Sequence, residues 1–153
     1  MKKLTPFILL LMFNVFGCAS DDVAPDATLA TLDKWKQLPT YAGADWQYVK
    51  DDSSLGTDGN DKSAFIYNPI MTAKGKYTLV IDLYTHILTT DDVILYVFGI
   101  DEDETLHELT RVELPPGTDK TFQVEINNPT STNLSFRMGG KSIHVKIFDV
   151  HFQ

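Results

Sequence analysis

Phe122-Gln123-Val124-Glu125-Ile126-Asn127-Asn128-Pro129-Thr130-Ser131-Thr132-Asn133-Leu134-Ser135-Phe136-Arg137-Met138 holds two runs of strict apolar–polar alternation around an Asn-Asn-Pro break. Side chains of an extended chain point alternately to opposite faces, so each run predicts a strand buried on one side. Pro129 cannot donate a backbone hydrogen bond and asparagine favours tight reversals, so the break reads as a turn. The even positions Phe122, Val124, Ile126, Leu134, Phe136 and Met138 then face a core, and Gln123, Glu125 and Arg137 face away.

The same period extends outward in both directions. Tyr77, Leu79, Ile81 and Leu83 alternate with Thr78, Asp82 and Tyr84, although Val80 interrupts the polar side. Val93 to Ile100 is almost wholly apolar and reads as a central strand covered on both faces. Ile143, Val145 and Ile147 hold one parity and Phe148, Val150 and Phe152 the other. That switch predicts a bulge near Ile147, or a strand buried on both sides. Asp101-Glu102-Asp103-Glu104 is an acidic hairpin tip, Pro115-Pro116-Gly117 a rigid bend and Gly139-Gly140 a tight turn. Asp51 to Ser63 reads as a long polar loop. Leu29, Leu32, Trp35 and Leu38 recur at helical spacing before Pro39, which predicts a short irregular or helical lead-in. The fold expected is all-β, an antiparallel β-sandwich of the jelly-roll kind.

The amino-terminal segment is of another character. Lys2 and Lys3 precede the unbroken apolar run Phe7 to Phe13, and Val15-Phe16-Gly17-Cys18 closes it. A basic start, a short apolar stretch and small residues before a cut make a secretory leader. Its apolar run is shorter than the roughly 20 residues of a membrane-spanning helix. Gly17-Cys18 resembles the lipobox of bacterial lipoproteins. The resemblance implies cleavage before Cys18, a thioether lipid on its sulfur, and acylation of the new amino terminus by a chain such as palmitate. Ala19-Ser20-Asp21-Asp22 resembles the export signal that carries Bacteroidota lipoproteins to the outer face of the outer membrane. The organisation expected is a leader at 1–17, a lipidated tether at 18–30 and a β-sandwich at 31–153.

Charge and composition narrow the partners. The chain carries a net charge of −8, two units more negative once Lys2 and Lys3 leave with the leader. Nucleic acid is excluded as a partner on this ground, since phosphate contacts need clustered Lys and Arg. Cys18 is the sole cysteine, so no disulfide forms within the chain and the apolar core carries stability. Four histidines (His86, His107, His144, His151) lack the spacing of a zinc site, and no nucleophile elbow or phosphate-cradling glycine loop is present. Twenty-one acidic residues always allow a carboxylate pair to be drawn, so no hydrolase is inferred from one. The chain is therefore read as a non-enzyme. The oxygen-rich loop 51–61 offers calcium ligands but lacks the EF-hand spacing.

The remaining signal lies in the residues facing away from the core. Trp46, Tyr48, Tyr84, Gln123 and Arg137 combine flat rings, an amide and a guanidinium. Rings stack on the C–H face of a pyranose, and planar polar groups take hydroxyls in pairs. For Trp46 and Tyr48, alternating in Asp45-Trp46-Gln47-Tyr48-Val49, core and surface remain equally open. Tyr96 and Phe98 share one face of their strand and read as core or sheet-covering residues.

Gly75-Lys76-Tyr77-Thr78-Leu79-Val80-Ile81-Asp82-Leu83 and Val145-Lys146-Ile147-Phe148-Asp149-Val150-His151-Phe152 resemble two strands of the galactose-binding-like jelly rolls, which include many carbohydrate-binding modules. The likeness runs from Gly75 to the last residue. It implies a β-sandwich that binds polysaccharide or oligosaccharide without cofactor, and Asp149 by position as a ligand of a structural calcium. The amino-terminal "N-G-x-F-E" strand of that family is replaced here by Trp35 to Trp46. The expectation is glycan capture by an outer-membrane, lipid-anchored, cell-surface protein beside glycan-uptake proteins. The alternative is an interaction or assembly lipoprotein of the envelope, docking through a sheet edge or apolar patch.

Overall fold

The computed structural model describes residues 27–86 and 91–153. The leader, Cys18 and the tether up to residue 26 lie outside the described residues. Nine strands follow in chain order: β1 (Lys36–Gln37), β2 (Trp46–Val49), β3 (Ser54–Lys62), β4 (Ile66–Thr72), β5 (Gly75–Thr85), β6 (Val93–Ile100), β7 (Leu106–Leu114), β8 (Asp119–Asn128) and β9 (Thr132–Phe152). The lead-in forms only one 3-10 turn, Leu32–Lys34. Its helical spacing is used to drop Leu32 and Trp35 into the core instead, with Trp35 against the Phe136 ring at 5.1 Å.

β9 organises the rest. Its first half pairs with β4 and β6, and its second half with β3 and β5, every ladder antiparallel. With β1, β7, β2 and β8 added at the edges, two five-stranded sheets result, β1-β4-β9-β6-β7 and β2-β3-β9-β5-β8. Gly139-Gly140 is thus a corner inside one long strand and not a turn between two. Gly140 has φ +145°, and a Cβ there would stand 3.3 Å from the Asp92 carbonyl oxygen, which is why glycine occupies the bend.

The core lies between the sheets. Leu134, Phe136 and Met138 come from the first half of β9, and Ile143, Val145 and Ile147 from the second. Leu79, Ile81 and Leu83 of β5 and Val93, Leu95 and Val97 of β6 meet them, all fully buried. Each such side chain contributes about 1.5–3 kcal/mol by leaving water. The parity switch has the cause inferred from sequence. Asp82 pairs with Asp149 and Leu83 with Ile147, so Phe148 is the extra residue of a bulge and is exposed.

Two expectations fail here for stated reasons. The polar segment 51–63 is largely strand β3, whose Leu55 and Thr57 face inward while Asp58, Asn60 and Asp61 are exposed, and Ser54 is buried on the opposite face against Asp52. β6 is not covered on both faces, because its outward residues Ile94, Tyr96 and Phe98 are only half-buried. Apart from these, Ala27 and Leu29 pack on the core, and the Ala30 N–H donates to Asn68 Oδ1 at 3.1 Å, without bearing on where the expected tether ends.

Candidate functional site

The second sheet carries a cleft of about 590 Å³ on its outer face, crossing β2, β3, β9 and β5. Strand register explains which side chains meet there. Gln47 lies opposite Gly56, Gly56 opposite Lys146, and Lys146 opposite Tyr84, so one row crosses all four strands. The neighbouring row sets Asp58 opposite His144, with the His86 N–H donating to the His144 carbonyl at 2.9 Å. The rings form a chain: Tyr84 and His86 are edge-to-face at 6.2 Å, and His86 and His144 at 6.1 Å. Gly56 leaves the middle of the floor without a side chain.

Polar contacts hold these groups in place. His144 Nδ1 lies 2.8 Å from Asp58 Oδ1. Lys146 Nζ donates to Asp52 Oδ2, and the Ser54 hydroxyl donates to Asp52 Oδ1 at 2.6 Å. The Lys146 ammonium, and after it the Ser54 hydroxyl, hold the Asp52 carboxyl below the usual carboxylate range. Since the folded state favours the ionised form, this contribution is present above the ordinary carboxylate value and is lost as pH falls through the lower folded one. The cleft therefore offers a phenol ring, two imidazoles, an amide, an ammonium and the carboxylates of Asp45 and Asp58.

The five residues singled out from sequence do not converge. Trp46 is a core residue, 8% exposed, with its Nε1–H donating to the Ala64 carbonyl at 2.9 Å. Its parity in β2 points it inward, so the surface role expected for it is corrected. Tyr48 shares that parity and opposes buried Leu55, but lies at the sandwich edge and is 40% exposed. Tyr84 lines the cleft. Gln123 is on the same face of the same sheet, beside Val80, and its amide donates to Gln153 Oε1 at 2.8 Å. Arg137 belongs to the other sheet, its guanidinium over the Phe65 ring at 4.7 Å. Asp149, the calcium candidate, lies 2.6 Å from His151 Nδ1, and no three carboxylate or imidazole groups converge among the described residues.

Sequence reasoning missed Gln47, Asp58, His86, His144 and Lys146. Gln47 and Lys146 were available from parity alone, since each alternates with a core residue. Asp58 was hidden by the loop-like composition of β3, and the two histidines meet only through register.

The fold is an antiparallel β-sandwich, as the alternation predicts, and solved carbohydrate-binding modules share it. A mutant of CBM29-2, of family 29 carbohydrate binding modules, matches with TM-score 0.53 at 8% identity, covering 85% of this chain and 92% of that one. The xylan-binding module CBM15 matches with TM-score 0.59 at 12% identity, covering 84% and 95%. The K3 cleaved adhesin domain of Lys-gingipain from Porphyromonas gingivalis w83 gives 0.57 at 12%, covering 83% and 97%. No family model and no curated protein matches the sequence.

Proposed function

We propose that this chain is a non-catalytic glycan-binding protein that takes a polysaccharide or oligosaccharide across the cleft on the second sheet. The cleft carries the reading: it crosses four strands, and Tyr84 stands within it beside Gln47, Asp58, His144 and Lys146. The Tyr84 ring stacks on a sugar's C–H face, and the amide, carboxylate and imidazole groups take its hydroxyls. The fold shared with carbohydrate-binding modules supports the same reading. Affinity per site is weak, because a shallow wet site returns little of the cost of ordering a flexible chain.

Gly56 gives the test. A Cβ added there meets its nearest neighbour, the Val145 carbonyl oxygen, at 3.7 Å, which is ordinary contact. Gly56→Val is therefore expected to fold, to fill the floor and to abolish retardation in native gels containing a neutral polysaccharide that retards the wild-type chain. Unchanged retardation removes the cleft from consideration.

Cys18 supplies the setting. Lipidation there tethers the domain to the outer membrane, at the cell surface, where it holds polysaccharide for neighbouring uptake proteins. Several acyl chains, at about 0.8 kcal/mol per buried methylene, anchor it firmly. Cys18→Ser is expected to move the protein from the membrane fraction to the soluble one, and persistence in the membrane fraction would remove the anchor. Docking onto an envelope protein draws on the exposed pair Ile70 and Met71. Two side chains fall far short of the roughly 800 Å² per partner of a stable interface.

A further inference from the structure

The outer face of the first sheet carries an unexplained surface. On β6 the inward residues Val93, Leu95 and Val97 are fully buried, as a one-sided strand requires. The outward residues are also apolar, and Tyr96 and Phe98 stay half-buried beside a shallow depression of about 290 Å³. A solvent face of an antiparallel sheet is ordinarily polar; here Phe98 packs edge-to-face on buried Phe65 at 5.1 Å, and Tyr96 extends that apolar strip beyond it.

Register places a cation on each side of Tyr96. Arg111 of β7 and Arg137 of β9 are its direct partners, so an Arg–Tyr–Arg row crosses three strands. The Arg111 Cζ lies 5.5 Å from the Tyr96 ring centre, and its Nε and one Nη donate to Glu108 Oε1, each at 2.8 Å, so only the end-on Nη edge of the guanidinium faces a ligand. Arg137 rests on Phe65 and donates through Nε to the Ser63 carbonyl at 3.1 Å, which fixes its plane and leaves its Nη groups for another partner. Tyr96 and Phe98 stack at 6.2 Å with 28° between their planes, forming a platform of two nearly parallel rings. Gly139 permits this arrangement, since a Cβ there would stand 2.9 Å from Tyr96 Cε2.

The negative charge of the chain is neutralised locally. In a chain of net −8, Lys62, Arg111 and Arg137 gather here and balance Asp61, Glu108 and Glu113, so the excess negative charge is cancelled rather than carried on this face. The cleft on the other sheet is more acidic, with Asp45 and Asp58 facing it and Lys146 held by Asp52. We infer that the Tyr96–Phe98 platform with Arg111 and Arg137 is a second binding site, selective for a polysaccharide whose sugars carry carboxylate or sulfate. The rings take the C–H face of the sugar, and the guanidinium forks take the oxyanion in a two-pronged contact. Sites on opposite outer faces let one molecule hold two chains of different charge. This inference stands apart from the reading of the cleft.

Native affinity electrophoresis of the full chain tests it, with polygalacturonate as the carboxylate probe, dextran sulfate as the sulfate probe and a neutral polysaccharide as reference. At least one anionic probe is expected to retard the wild-type chain, less so as salt is raised, and the responsive probe names the oxyanion. Tyr96→Ala is expected to weaken that binding at least about fivefold, the loss a stacking ring of this kind contributes. Arg111→Lys keeps the charge but loses the fork, and a comparable weakening is expected. Because the Arg111 side chain is 59% exposed, that variant decides the matter even where Tyr96→Ala fails to fold. Gly56→Val is expected to leave anionic binding intact, and Tyr96→Ala to leave neutral binding intact. Absence of retardation by both anionic probes overturns the inference, as does retention of full binding by Arg111→Lys, or loss of anionic binding in Gly56→Val.

Discussion

Trp46→Ala is expected to cost about 3–5 kcal/mol of folding stability, the range for deleting a large buried aromatic side chain. Trp46 is 8% exposed in the main core cluster, and its indole N–H satisfies the Ala64 carbonyl. Small domains have only about 5–15 kcal/mol to lose, so the variant should unfold on the order of 10 °C or more below wild type. Trp46→Phe separates the two contributions. It retains most of the buried ring but drops the hydrogen bond. Because Ala64 O also accepts from the Ser63 hydroxyl at 2.8 Å, the loss should fall near 1 kcal/mol, the lower end for an abandoned buried partner. Urea unfolding measures both, and a Trp46→Ala loss under about 1 kcal/mol would contradict a core position.

Among side-chain truncations in the cleft, Tyr84→Ala carries the largest expected effect on binding. The ring is half-buried on the outer face of β5, so its removal should leave the melting temperature close to wild type while affinity for a neutral glycan falls at least about tenfold, or 1.4 kcal/mol. Tyr84→Phe should keep most of the affinity if stacking dominates, and lose about as much as alanine if the hydroxyl does the binding. Calorimetric titration with a glycan that wild type binds distinguishes these results. Wild-type affinity in Tyr84→Ala would falsify the cleft as the neutral-glycan site.

The layout of the sandwich was legible because period 2 survives wherever one face is wet. Phe122 to Ile126, Leu134 to Met138 and the bulge at Phe148 all follow from alternation and its one break. β3 was illegible for the opposite reason: Asp58, Gly59, Asn60 and Asp61 make a strand from residues that favour turns, held by pairing with β9. Gly139-Gly140 deceived in a related way, since the backbone freedom that suits a hairpin also suits a bend within one strand. The site was the least legible part. Tyr84 was recognised, but its neighbours come from β2, β3 and β9, and only long-range register brings them together. Trp46 misled because an aromatic residue among polar ones looks exposed until its parity is known.

Because β9 is the middle member of both layers, neither layer is complete without it. Strands β3, β4, β5 and β6 lack a shared partner until Thr132–Phe152 docks, so the two layers are expected to close together in one cooperative event.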